Sequence, residues 1–154
     1  DDLLWLPFVT ASYVQATGDR AILEEQTPFL KGNPLEATEL ERYGHYETTD
    51  EKETLYEHCL RALKKGTTAG PHGLPLIGSH DWNDGLSRVG VEGKGESVWL
   101  GWFLNATLTR FASLCKRRGD QAQAGLDPGH PEQPSVFLTF IWHRRHPHHY
   151  SLGG

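Results

Sequence analysis

Apolar residues recur at helical spacing in two stretches of the chain, and these stretches predict its strongest helices. Over residues 50–65 the apolar positions form one stripe: Leu55, Cys59, Ala62 and Leu63. Asp50, with Glu53 three positions later, has the spacing of a capping box, so we expect this helix to start there. Residues 96–118 are apolar on nearly all sides, which predicts a helix that is buried over most of its surface.

The first fifty residues predict shorter elements. Pro7 suits the first position of a helix and Gly18 suits the residue after its end, so a short amphipathic helix is expected between them. The acidic pair Asp1 and Asp2 precedes this helix. Carboxylates at that place either cap the helix or remain available for function.

Two further segments complete this part of the chain. Residues 19–32 predict a second short helical segment, which Pro28 ends or kinks. Residues 33–49 are polar and aperiodic and predict a surface loop. The chain therefore alternates between helices and loops.

Residues 66–99 form a long glycine-rich stretch without helical or strand periodicity. A loop of this length in a compact domain is usually a binding or catalytic loop, or else disordered. Its Trp, Leu and Ile residues argue against disorder. The polar and indole side chains that it carries are Asp81, Trp82, Asn83, Asp84, Arg88, Glu96 and Trp99. Fixed polar groups bond sugar hydroxyls while an indole packs on the apolar face of the ring, so we interpret the loop as part of a carbohydrate site.

Composition and charge narrow the classes of function. The 154 residues are enough for one domain, and the apolar content of 37% is low, which fits a soluble protein with large loops or a fragment. The formal charge of −5 argues against a nucleic-acid partner. No apolar run approaches the ~18 residues that span a bilayer, and Asp1-Asp2 stands where a signal peptide carries basic residues. Since no initiator Met is present, we expect the numbering to start inside a longer product.

Neither the cysteines nor the histidine-rich end predicts a metal site. Cys59 and Cys115 fall in helical segments and are interpreted as small buried apolar residues rather than a disulfide or a metal pair. The end of the chain holds a group of histidines: His143, His146, His148 and His149. No Cys or carboxylate joins them, and Pro147 interrupts any helix that would gather them, so zinc binding is not expected.

Four blocks of sequence carry a family resemblance. They are Asp-Asp-Leu-Leu-Trp-Leu-Pro at 1–7, Tyr-Glu-His-Cys-Leu-Arg-Ala-Leu at 56–63, Gly-Ser-His-Asp-Trp-Asn-Asp-Gly at 78–85 and Gly-Glu-Ser-Val-Trp-Leu-Gly-Trp-Phe at 95–103. Together and in this order they resemble the catalytic domain of glycoside hydrolase family 94, which contains cellobiose and chitobiose phosphorylases. The resemblance is greatest to the phosphorylase-like domain of cyclic β-1,2-glucan synthases. It covers residues 1 to about 120, and residues 121–154 are expected to be an irregular or disordered tail.

The resemblance implies a fold and a reaction. The fold is all-α, with residues 1–120 as part of an (α/α) six-hairpin barrel whose active site lies at the loop end. The reaction is inverting phosphorolysis of a β-linked glucan or glucoside. One general acid protonates the leaving oxygen, and phosphate is already an anionic nucleophile that needs no general base.

The resemblance also assigns residues. The general acid of the family matches Asp1, with Asp2 as the alternative, and an adjacent carboxylate raises the pKa of such an acid. The residues expected to bind the glucosyl unit lie in the two loop blocks: Asp81, Trp82, Asp84 and Glu96. Arg88 is a weaker candidate for binding substrate or phosphate.

The implied partners follow from that reaction. They are the β-linked glucan or glucoside, inorganic phosphate as co-substrate without any cofactor, and the rest of a larger polypeptide, with no nucleic acid and no membrane contact by this segment. In the full-length relative the domain is expected to be a soluble, cytoplasmic part of an inner-membrane protein. The family's phosphate-binding His and its Gly/Thr-rich loop have no match here, and the helices are too few to close a barrel. We therefore expect the isolated chain to be inactive and prone to aggregation.

Two other functions remain open. An inverting β-glucoside hydrolase would need a second carboxylate as base, about 6.5–9.5 Å from the acid, and Asp81, Asp84 and Glu96 are available. A non-catalytic sugar-binding module would keep the loop around Trp82 without a working acid.

Overall fold

Three helices form the centre of the fold. The computed structural model describes residues 1–36, 39, 42–79, 84–86, 88–120 and 123, with only the backbone of residue 84. The helices are α1 (Asp2–Thr17), α2 (Leu55–Gly66) and α3 (Val98–Arg118). Their inward side chains share one buried core, which includes Leu4, Ala11, Val14, Tyr56, Cys59, Leu63, Leu104, Leu108, Phe111 and Cys115. Full burial of a Leu or Phe side chain contributes roughly 1.5–3 kcal/mol, so this core is what holds the helices together.

The prediction of an all-α fold is wrong, because a two-stranded antiparallel sheet lies between α1 and α2 in the chain. β1 (Gln26–Lys31) pairs with β2 (Glu47–Thr54), and the register shifts between Pro28 and Leu30. Most side chains of both strands are exposed, so neither strand carries the apolar alternation that identifies a strand in a sequence. Thr favours extended backbone, and Pro28 lies next to the irregular point of the ladder, where a missing N–H donor is tolerated.

The sheet also moves the start of α2. Residues 50–54, predicted as its first turn, belong to β2. Thr54 caps the helix instead, because its hydroxyl accepts the Glu57 backbone N–H at 3.1 Å. The predicted capping box at Asp50 is therefore wrong.

The other two helices differ from prediction at their starts and agree at their ends. α1 begins at Asp2, and Pro7 is buried within the helix rather than opening it. α3 begins at Val98, so Glu96 lies in the connection before it. Gly18 and Gly119 follow the helix ends in the left-handed conformation, with φ of 75° and 85°, as their positions predicted.

The direction of the helices decides what lies at each end of the fold. α1 and α3 run side by side in the same direction. Trp5 contacts Phe103 near their starts, with ring centroids 4.6 Å apart, and Val14 and Leu114 line one cavity nearer their ends. α2 runs the opposite way: Cys59 Sγ lies 3.6 Å from Thr10 Oγ1, and Gly66 at its end packs against Leu4 at the start of α1. The start of α1, the end of α2 and the start of α3 therefore share one end of the bundle.

At the other end of the bundle, polar contacts join the start of α2 to the end of α3. The Tyr56 hydroxyl lies 2.9 Å from Asp120 Oδ2 and 3.2 Å from Cys115 Sγ. Both cysteines are free and buried, as predicted. Loss of solvation raises the pKa of the Cys59 thiol to about 11 and raises that of Cys115 as well. None of the helices in the described part of the chain combines the length and the hydrophobicity of a membrane-spanning helix.

Candidate functional site

The long loop between α2 and α3 has a closed base at the shared end of the bundle. The Ile77 N–H donates to Gly95 O at 2.8 Å, and the Ser97 N–H donates to Pro75 O at 2.9 Å. These bonds join the outgoing arm of the loop (residues 75–79) to its returning arm (residues 88–97) as a short antiparallel bridge. Residues 75–77 of the loop are thus held against residues 95–97, directly before α3.

Glycines allow close approach of the backbone in this loop. A Cβ on Gly90 of the returning arm would lie 1.9 Å from Gly78 O of the outgoing arm, and within the returning arm a Cβ on Gly95 would lie 2.5 Å from Val89 O. Neither distance leaves room for a side chain, so a residue without a Cβ is required at both positions.

Glu96 connects the base of the loop to the turn at residues 70–74. Its Oε1 accepts the His72 backbone N–H at 2.9 Å, and its Oε2 accepts the Leu74 N–H at 3.1 Å. His72 Nδ1 lies 3.1 Å from Oε1. The Glu96 side chain is only 8% exposed. The backbone hydrogen bond from His72, followed by that from Leu74, lowers the pKa of Glu96 and keeps it a carboxylate.

Asp1 lies at the start of α1, at the same end of the bundle as this loop base. Its Oδ2 accepts the indole N–H of Trp5 at 3.1 Å. Trp5 and Trp99 both pack against Phe103, with ring centroids 4.6 and 5.5 Å away. Trp5 remains 45% and Trp99 37% exposed. A carboxylate beside a partly exposed indole has the components of a sugar subsite: a hydrogen-bonding group and a flat apolar surface.

Of the other predicted site residues, some lie in described parts of the chain and some do not. Asp2 is exposed in the first turn of α1, and Arg88 is exposed in the returning arm of the loop. Asp84 begins a short 3₁₀ helix, Asp84–Leu86. Asp81 and Trp82 lie outside the described residues, as does all but residue 123 of the tail 121–154. The structure brings Asp1 and Glu96 to one end of the fold, and the roles assigned from the sequence stay predictions.

Two residues at this end were not singled out from the sequence. Trp5 carries no prediction of its own, although its position four residues after Asp1 on a helix is the spacing of side-chain neighbours. His72 contacts Glu96 across 24 positions of sequence. No local pattern encodes such a contact, because it depends on how the loop folds back.

A separate cavity of about 480 Å³ lies between the C-terminal halves of α1 and α3. Val14, Leu114 and Arg117 are among the residues that line it, and none of the predicted site residues does. Within the described ranges, no group of three or more His, Cys, Asp or Glu side chains is placed to hold a metal ion.

Comparison with known proteins places the chain in one family. A model of the catalytic domain of the glycosyl hydrolase 94 superfamily matches residues 1–131. Cyclic beta-(1,2)-glucan synthase NdvB of Rhizobium meliloti is 43% identical over 133 residues, which are 86% of this chain and 5% of that protein. Solabiose phosphorylase of Paenibacillus borealis is 34% identical over 117 residues, 75% of this chain and 13% of the relative.

A fungal relative shows the same partial coverage. Cellobionic acid phosphorylase of Neurospora crassa is 30% identical over 121 residues, 78% of this chain and 13% of that protein. The chain thus spans only a small part of the length of these curated relatives. The resemblance drawn from the four sequence blocks is confirmed.

Proposed function

Because the chain belongs to the glycosyl hydrolase 94 superfamily, as part of its catalytic domain, we propose that it contributes to a site for inverting phosphorolysis of β-linked glucans or glucosides. The observation that carries the proposal is the placement of Asp1 and its indole partner at the end of the bundle that also holds the base of the glycine-rich loop. The names of two relatives, solabiose phosphorylase and cellobionic acid phosphorylase, support phosphorolysis as the reaction.

In the proposed reaction Asp1 is the general acid. A phosphate oxygen attacks the anomeric carbon, the bond from that carbon to the bridging oxygen breaks, and the Asp1 proton passes to the departing oxygen. Attack from the face opposite the leaving group inverts the anomeric configuration. The hydrogen bond from Trp5 fixes the Asp1 carboxyl group in one orientation, which favours in-line transfer of the proton.

The loop supplies the proposed sugar contacts. Asp81 and Asp84 bond hydroxyl groups of the glucosyl unit, while Trp82 packs on the face of its ring. The reaction needs inorganic phosphate and no other cofactor, and the phosphate ligands come from other parts of the polypeptide. The substrate class we infer is a β-1,2-linked glucan, because the cyclic beta-(1,2)-glucan synthase is 43% identical.

A segment exchange tests the proposal. The matched segment of solabiose phosphorylase is replaced by the corresponding residues of this chain, and far-UV circular dichroism with gel filtration verifies that the chimaera folds like its host. We expect phosphate-dependent release of an α-configured sugar 1-phosphate from a β-linked glucan or glucoside, detected by proton NMR. Asp1→Asn in the chimaera should lower turnover by roughly 100-fold or more, while Asp2→Asn should lower it far less.

The same assay separates the alternative functions. Release of free glucose without any dependence on phosphate would favour the inverting hydrolase. Sugar binding that survives without turnover, even with Asp1 intact, would favour a non-catalytic module. A folded chimaera with either behaviour contradicts the proposed reaction.

A further inference from the structure

We propose that Glu96 is a positioning residue that acts on the loop: its carboxylate holds the turn at residues 70–74 and thereby fixes where the loop presents its sugar-binding block. This inference rests on the proposed function for the identity of the block. It goes beyond that function because it assigns Glu96 to the backbone of the loop rather than to the glucosyl unit.

The hydrogen-bond capacity of the carboxylate is the first argument. An ionised carboxylate has about four lone-pair sites. Two of them accept backbone N–H groups of one turn, from His72 and Leu74, and a third faces His72 Nδ1 at 3.1 Å. About one site is left for any ligand. Backbone groups that bond to a charged acceptor make strong hydrogen bonds, so the turn is held firmly by this one side chain.

The space around Gly70 is the second argument. A Cβ there would lie 2.3 Å from Glu96 Oε1 and 2.5 Å from its Cγ and Cδ atoms. The turn is therefore shaped around the carboxylate, and Gly70 closes it with a backbone bond to Leu74 O at 2.8 Å. Since the side chain of Glu96 is 8% exposed, few of its atoms are open to solvent or to a substrate.

The connection of Glu96 to both arms of the loop is the third argument. Glu96 stands between Gly95 and Ser97, whose backbone groups join the returning arm to Ile77 and Pro75. Leu76 in the outgoing arm is further bonded to the Thr68 hydroxyl at 3.0 Å. Residues 78–85, which hold the Asp-Trp-Asn-Asp block, follow directly from this arm. If the turn shifts, we expect residues 75–77 and 95–97, which flank the block in the sequence, to shift with it.

Hydrogen exchange of the 154-residue chain tests the inference without sugar or phosphate. Glu96→Gln keeps the size of the side chain but replaces one acceptor oxygen with an –NH₂ group. That group cannot accept a hydrogen bond from the backbone N–H that faces it. We expect the hydrogen-bonded N–H groups of residues 70–76, where Pro71 and Pro75 have none, and that of Ser97 to exchange at least about tenfold faster, while those of α1, α2 and α3 keep their rates. Glu92→Gln is the matched control, because Glu92 lies in the same loop, is 77% exposed and pairs with the exposed Lys94 at 3.6 Å. It should change these rates less than about twofold.

A second variant covers the case in which Glu96→Gln also disturbs the helices. Gly70→Ala leaves Glu96 in place and pushes a methyl group into the contact from the other side. The same pattern of faster exchange is expected. Unchanged exchange at residues 70–76 in the Gln variant, or in the Ala variant where the Gln variant does not fold, would refute the inference.

Kinetics in the chimaera distinguish positioning from direct contact. Glu96→Gln should raise KM for the glucoside at least about fivefold and leave KM for phosphate within about twofold. A raised KM with unchanged loop exchange would mean that Glu96 binds sugar itself. A lowered kcat with both KM values unchanged would mean that it serves stability alone, and either result overturns the inference. If the chimaera has no phosphorolysis at all, the proposed function fails, and the exchange experiment still decides whether Glu96 holds the loop.

Discussion

Deprotonation of Cys59 should destabilise the three-helix core at alkaline pH. The thiol is fully buried in α2, with Sγ 3.6 Å from Thr10 Oγ1 of α1. Loss of solvation raises its pKa from 9.0 to about 11. In the unfolded chain the thiol releases its proton as the pH passes its ordinary value, while in the folded chain it is retained. The unfolded state then binds fewer protons, so the free energy of unfolding falls as the pH rises.

The size of the effect follows from the two pKa values. A difference of one unit corresponds to about 1.4 kcal/mol, so the contribution is fully present below about pH 9 and is lost progressively towards about pH 11. For Cys59 alone this gives a loss of roughly 0.8 kcal/mol at about pH 9.5 and roughly 2 kcal/mol at about pH 10.5. The latter is a large share of the 5–15 kcal/mol typical of a domain.

Urea unfolding followed by circular dichroism at about pH 8, 9.5 and 10.5 measures this loss, at a protein concentration low enough for a monomer. Cys59→Ala is the comparison, because it removes the titrating group and keeps Cys115 and Tyr56, whose raised pKa values act in the same direction. The unsubstituted chain should lose about 2 kcal/mol more than the variant between the lowest and highest pH. Equal losses in the two chains would refute the reasoning.

Three further predictions concern stability and association. Tyr56→Phe should lower the free energy of unfolding by roughly 1.5–3 kcal/mol, because the hydrogen bond of the Tyr56 hydroxyl to the Asp120 carboxylate is lost. Urea unfolding measures this loss, and an unchanged midpoint at constant slope would contradict the prediction. Gly90→Ala should make the loop base a site of limited proteolysis while the helices persist. Gly44→Ala should not, because, apart from Gly44 and its chain neighbours, no described atom lies within 4 Å of a Cβ placed there. Equal cleavage of both variants would show that the contact of Gly90 with Gly78 is unimportant. The isolated chain should self-associate through exposed apolar side chains of α1 and α3, such as Val9 and Trp102, which are 56% and 74% exposed. Static light scattering measures the association, and a monomer at all concentrations would disprove this prediction.

The helices and the loop were readable from the chain because their signals are local. The apolar stripe of α2 depends on residues within two turns of each other, and the glycines after α1 and α3 stop a helix wherever the backbone turns left-handed. The family resemblance likewise came from short blocks of adjacent residues. None of these signals needs knowledge of what lies across the fold.

The sheet and the contacts of the site had no such signal. β2 reads ETTDEKET and exposes most of its side chains, so its strand conformation is decided by pairing with β1 rather than by burial of one face. The prediction of an all-α fold failed there. The capping box predicted at Asp50 failed for the same reason, since a tertiary pairing outweighed a weak local preference.

The chain thus encodes locally where helices run, which residues carry carboxylate and indole chemistry, and to which family it belongs. Only the tertiary structure decides that α1 and α3 run parallel, that Asp1 therefore lies at the end where the loop is anchored, and that Glu96 meets His72 across 24 residues. Helix periodicity arises from neighbours within a few residues. Contacts between distant residues depend on how the buried faces pack together, and no short stretch of sequence contains that information.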